Sequence, residues 1–130
     1  MNEVYEFLKN AGTYFLATND HGQPRNRPFG TIDLFENKLY IQTGLVKDCA
    51  KQIINDPRIE ICAMYNNRWL RVQANAYLDE NIDAQKHMLD NYPSLQNMYQ
   101  AGDGNTAVFY LKDVKATISS FTEAPQTYEF

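Results

Sequence analysis

Serine is scarce in this chain. Only Ser94, Ser119 and Ser120 occur, and none sits in a Gly-x-Ser-x-Gly turn, which argues against a serine hydrolase with a nucleophile elbow. The two histidines, His21 and His87, fall in different segments with no cysteine or glutamate at ligand spacing, so no zinc site is indicated. The two cysteines, Cys49 and Cys62, are too few for a disulfide scaffold and read as two buried thiols. Walker A and Gly-x-Gly-x-x-Gly patterns are missing; Gly102-Asp103-Gly104 reads as a turn. No apolar run approaches the length of a membrane span. The first ten residues, MNEVYEFLKN, carry two glutamates and no apolar core of a leader, so the expected compartment is cytoplasmic.

The chain has 130 residues, 44% of them hydrophobic and 13% aromatic. That suits one globular domain, residues 1–130, with substantial β content. The net charge of -4 disfavours general nucleic-acid binding. The charge is uneven, however. Between His21 and Arg71 there are eight basic residues against five acidic, and in the remainder four against eleven. A basic middle in an acidic protein points to a local anion site.

Apolar spacing at Val4, Phe7, Leu8 and Ala11 predicts a helix stopped by Gly12. Strands are expected over residues 13–18, 25–35, 39–43, 58–65, 68–78 and 107–121, the last bent near Lys112-Asp113. Val46, Cys49, Ala50, Ile53 and Ile54 mark one face of a second helix, and Ile82 to Tyr92 outline a third. Residues 122–130 show no period. Hairpin joints make the sheet mainly antiparallel, and six strands favour closure into a small barrel. In the strand over 68–78, Leu70, Val72, Ala74, Ala76 and Leu78 point one way. Trp69, Arg71, Gln73, Asn75 and Tyr77 point the other, which suits an interface or ligand face.

Two segments supply an anion site. In Arg25-Asn26-Arg27-Pro28-Phe29-Gly30, strand alternation places Arg25 and Arg27 on one face. Gly30 would let a flat ligand approach the backbone. In Thr43-Gly44-Leu45-Val46-Lys47, a hydroxyl, helix N-terminal amides and a lysine meet at a strand-to-helix junction. The plainer alternative is that Arg25 and Arg27 pair with Asp33 or Glu36 while Thr43 only caps a helix. Cys49 follows Lys47 near a helix start, which could lower its pKa; a packed thiol is the simpler reading. No residue stands out as a general acid or base, so no catalytic residue is assigned.

The stretches TYFLATNDHGQPRNRPFG, KLYIQTGLVKDCAKQIINDPRIEICA, WLRVQANAYLD and NTAVFYLKDVKATI form a series that resembles the pyridoxamine 5'-phosphate oxidase-related family, in particular its short general-stress-protein type. The resemblance implies a mainly β fold with flanking helices, a six-stranded antiparallel split β-barrel, and a homodimer with FMN at the subunit interface. It implies that Arg27 and Lys47 contact the FMN phosphate with Thr43 beside them. Pro28, Phe29 and Gly30 would run along the isoalloxazine, and Trp69 and Arg71 would line the site from the partner subunit. Arg25 and Lys51 are further candidates. Full-length oxidases of the family carry a basic C-terminal substrate segment. Nothing after Lys115 is Lys or Arg here, so the expectation is flavin redox chemistry on another small molecule. The alternatives are a flavin-binding stress protein without turnover, and the same barrel holding haem or a deazaflavin.

Overall fold

The structure, a computed structural model, describes residues 1–130. Helix α1 (Asn2–Ala11) turns Val4, Phe7 and Leu8 into the core and stops at Gly12, whose φ of 76° is open to glycine. Strands β1 (Tyr14–Asp20) and β2 (Gln23–Phe29) form a hairpin around His21-Gly22. Strand β3 (Asp33–Phe35) turns through Glu36 and Asn37, both at positive φ, into β4 (Lys38–Gly44). Helix α2 (Asp48–Asn55) is followed by β5 (Arg58–Tyr65), a turn at Asn66-Asn67, and β6 (Arg68–Asp79). Helix α3 (Ile82–Asn91), a short 3-10 turn (Pro93–Asn97), β7 (Thr106–Ser119) and β8 (Gln126–Glu129) complete the chain.

All eight strands belong to one sheet of order β2-β1-β5-β6-β7-β4-β3, with β8 beside β7, and every pairing is antiparallel. The mainly β split-barrel class is as expected, but the count of six is corrected to eight, and the expected closure is corrected to an open sheet, since its end strands β2 and β3 do not pair. One extra strand is β8, in the tail that shows no period. The other comes from the stretch 25–35, which is two strands rather than one. Its halves cannot be one strand because β2 pairs only with β1 and β3 only with β4, at opposite ends of the sheet path. Residues 30–32 carry the chain from one end to the other, so the sheet curls until its ends lie three residues apart.

Side chains replace the missing ladder bonds at this seam. The Tyr14 hydroxyl donates to Thr31 O (2.6 Å), and Gln42 N donates to Thr31 Oγ1 (3.0 Å). Tyr92 donates its hydroxyl to Ile32 O and accepts from Ile32 N, both at 3.0 Å.

The interior is filled by alternate residues of each strand, among them Leu16, Ile61, Leu70, Val72 and Val114, with α1 and α2 packed over them. Helix α2 contributes Cys49, Ala50 and Ile53 to this core. Val46 and Ile54, expected on the same face, are exposed instead. The helix begins only at Asp48, so Val46 precedes it, and Ile54 lies about 100° round from Ile53. On the other side of the sheet, α3 covers Tyr40 and Val108 with Ala84 and Met88. Strand β7 bends where expected: Gln73 and Asn75 pair with Lys115 and Lys112, which leaves an extra residue on β7, and Asp113 takes φ 54°.

No helix is long and apolar enough to cross a membrane.

Candidate functional site

Arg25 and Arg27 share the inner side of edge strand β2, as the alternation predicts, opposite the buried Thr18 and Leu16. Neither pairs with Asp33 or Glu36. Arg25 turns back to Asp20 (Nε to Oδ2, 3.1 Å). Arg27, half-buried, reaches α2. Its Nη1 donates to Thr18 Oγ1 (2.8 Å) and Leu16 O (3.2 Å), and its Nη2 donates to Gln52 Oε1 (2.8 Å). No carboxylate pairs with it. A guanidinium held only by neutral acceptors keeps its whole charge for a ligand. The charge also acts on Cys49, but burial dominates and pushes that thiol above its usual range. Cys49 is thus a packed residue.

Lys47, not Thr43, occupies the N-cap of α2. Thr43 lies inside β4, paired with Ala107, and the four residues after it lead to the helix. That loop is held from the far side: Leu45 N donates to Asn105 O (2.7 Å) and Val46 N to Asn105 Oδ1 (3.1 Å). A side chain at Gly44 would be crowded, since a Cβ would stand 3.1 Å from the Tyr99 ring and 3.2 Å from Asn105 Nδ2, and those side chains would have to give way. No side chain caps α2, which leaves first-turn N–H groups open at the end where the Lys47 side chain is exposed. A polar cleft of about 300 Å³ runs between α2 and the β1–β2 turn, lined by His21, Asp48, Lys51 and Gln52 among others. Gln52 joins this cleft to Arg27.

The other candidates lie across the sheet. Pro28 is on the outer side, in one cross-strand row with Phe15, Cys62, Arg71 and Thr117. Cys62, expected to be buried, is exposed in that row because its neighbours Ile61 and Ala63 take the inner positions. Phe29 packs its ring 5.8 Å from that of Tyr14. Gly30 is uncrowded; a Cβ would lie in ordinary contact, 3.6 Å from Gly12 O. Trp69 is flanked by Met64 and Ser119 and lies 5.0 Å, ring to ring, from Phe121, which is 94% exposed. Two adjoining clefts of about 640 and 660 Å³ cross this outer face, sharing Glu60, Gln73 and Lys115; Trp69 and Arg71 line the second. Arg27 lines neither. One chain therefore joins Arg27 to α2, and Trp69 to Arg71, but keeps the two groups apart.

Sequence reasoning missed the neutral partners of Arg27, Thr18 and Gln52. It also missed a cluster at the seam. Buried Asp33 accepts from Asn91 Nδ2 (2.6 Å) and meets His87 Nδ1 (2.6 Å). His87 and Asn91 stand four apart on α3, a spacing that puts them on one face.

The fold and site define an antiparallel split barrel with an uncompensated cation on its inner edge. Residues 1–112 match the family model described as pyridoxamine 5'-phosphate oxidase, and the chain belongs to that family. It is 39% identical to a NimC/NimA family protein from Clostridium acetobutylicum, whose crystal structure superposes with a TM-score of 0.97 over 100% of this chain and 92% of that one. General Stress Protein 26 from Bacillus anthracis shares the fold at 15% identity and a TM-score of 0.78, over 99% of this chain and 97% of that one. So does HutZ, a haem storage protein from Vibrio cholerae, at 16% identity and 0.65, over 85% and 87%. No curated protein matches the sequence.

Proposed function

We propose that the protein is an FMN-binding homodimer that carries out flavin redox chemistry on a small molecule. The observation that carries this reading is Arg27: a half-buried cation with no carboxylate partner, tied to an uncapped helix. That chemistry fits a phosphate monoester. Arg27 and Lys47 would hold the phosphate, with Arg25, Thr43 and Lys51 close by in sequence. Pro28, Phe29 and Gly30 would offer backbone to the ring. Trp69 and Arg71 of the second copy would close the site, since they face away from Arg27 within one chain. The flavin, when bound, supplies the electron transfer; the protein orients it and limits access to it. A protein that binds flavin without turnover would use the same residues.

The test is titration of the purified protein with FMN, riboflavin and haemin, followed by NADPH oxidation with and without FMN. The reading expects FMN to bind more tightly than riboflavin, with flavin-dependent NADPH consumption. Equal affinity for riboflavin removes the phosphate site. FMN binding without consumption favours the non-catalytic alternative, and a haem complex tighter than that with FMN overturns the reading.

A further inference from the structure

We infer that Gln52 and Thr18 are positioning residues that set a preference for phosphorylated over unphosphorylated flavin, by holding Arg27 without neutralising it. The inference rests on the flavin reading above and concerns what that reading leaves open, namely why a half-buried arginine needs no counter-ion.

The three side chains form a closed cycle. Thr18 Oγ1 donates to Gln52 Oε1 at 2.6 Å. Arg27 Nη2 donates to the same Oε1 at 2.8 Å, and Arg27 Nη1 to Thr18 Oγ1 at 2.8 Å. Only one set of roles satisfies this geometry. The Thr18 proton is committed to Gln52, so an oxygen lone pair faces the guanidinium. Two donors converge on one atom of Gln52, which must then be its oxygen, and its NH2 group is left free. Thr18 is 4% exposed, so water cannot easily take over its part.

Each acceptor in the cycle is neutral. Glutamate has the shape of glutamine and would accept the same two bonds. It would also convert the cycle into a charge-paired fork, cancelling the field that a phosphate would meet. At a half-buried position that field is screened less than in water. The residue type at 52 therefore decides whether Arg27 is a structural cation or one available to an anion.

The experiment compares FMN and riboflavin dissociation constants, read by flavin fluorescence, for wild type, Gln52→Glu and Thr18→Val. Melting curves with and without FMN run alongside. Gln52→Glu should fold, melt no lower than wild type without ligand, and lose roughly tenfold or more in FMN affinity, while riboflavin affinity stays unchanged. Thr18→Val loosens the cycle without adding charge and should lower the FMN preference by less. If wild type prefers FMN and both variants keep that preference, the inference is overturned while the flavin reading stands. If wild type itself does not distinguish FMN from riboflavin, the phosphate reading fails and takes the inference with it.

Discussion

Arg27 and Arg71 point to opposite sides of the same sheet. Arg27 stands opposite Leu16 on the buried side, and Arg71 stands opposite Cys62 on the exposed side. Strand order β2-β1-β5-β6 separates them by three strand spacings, roughly 14 Å of sheet. Within one chain the two therefore face different sides, and the proposed site that uses both takes them from two copies of the chain.

The first prediction is accordingly a dimer. The outer face carries Phe15, Met64 and Phe121, respectively 49%, 70% and 94% exposed, beside Trp69 and Arg71, a composition like that of an interface core. Light scattering at micromolar concentration should give twice the 15.0 kDa chain mass. Phe15→Glu should shift the protein to monomer. A wild-type monomer would end the two-copy site.

Arg27→Ala and Lys47→Ala should each weaken FMN binding by roughly 1.5–3 kcal/mol, the scale of a charge-assisted hydrogen bond. Riboflavin should bind both variants as it binds wild type. Arg25→Ala is expected to matter less, because Arg25 is already spent on Asp20. Calorimetric titration of the three variants with both flavins checks the order. Unchanged FMN affinity in both Arg27→Ala and Lys47→Ala moves the phosphate elsewhere.

What was legible in the sequence follows from how local its physics is. The alternation in β6 reads directly, since Leu70, Val72, Ala74 and Ala76 obey a period of two with one side buried. The turns at Glu36-Asn37 and Asn66-Asn67 read from residue type. The break after Phe29 does not, because Thr31 and Ile32 are good strand residues. What separates β2 from β3 is which strand each pairs with, a property of the whole sheet. Strand β8 is four residues long and mostly exposed, so burial leaves little pattern in it. In the site, Arg27 was visible as a cation, whereas Thr18 and Gln52 were not, since nothing local ties residues 34 apart. The alternative in which Thr43 only caps the helix fails because the loop's length, held by Asn105, is decided from 59 residues away, and Lys47 takes the N-cap.

The loop that holds this geometry should loosen in acid. Asp103 accepts from the N–H groups of Gln100, Asn105 and Thr106, and these bonds lower its pKa from the ordinary 3.8 to about 2. A carboxylate whose pKa is lower in the folded state adds stability above its unfolded pKa and loses it as pH falls through the folded value. The amides of Gln100, Asn105 and Thr106 should therefore lose exchange protection between about pH 4 and pH 2. Asp103→Asn should remove that dependence. Protection that is flat across this range in wild type would show that Asp103 does not anchor the loop.

The Asp33–His87 contact gives a stability prediction. The Asp33 side chain is 1% exposed, and His87→Ala leaves it with Asn91 alone. Losing one partner of a buried carboxylate costs about 1–3 kcal/mol. Urea denaturation of His87→Ala, Asp33→Asn and the double variant should show coupling between the two positions. Additive losses would make the 2.6 Å contact incidental.

Trp69 is the sharpest test of the two-copy site. Within one chain its indole already lies against Phe121, 5.0 Å between ring centres. Two roles compete: a platform that packs on Phe121 inside the interface, or a wall of the second copy's flavin site. As the only tryptophan, it should lose fluorescence when FMN binds, because flavin absorbs where indole emits. Quenching alone does not decide, since energy transfer reaches well past contact distance. Substitution does. If Trp69 touches the ring, Trp69→Phe should keep the dimer and weaken FMN binding by roughly 0.5–1.5 kcal/mol, the scale of an aromatic pair beyond burial. Riboflavin, which keeps the ring, should weaken equally, in contrast to its indifference to Arg27→Ala. Phe121→Ala should then leave both affinities intact while altering the indole emission. If Trp69→Phe instead shifts the monomer–dimer equilibrium and leaves both flavins bound as before, Trp69 belongs to the interface alone. The second copy's contribution would then have to come from Arg71 or from another residue of that face.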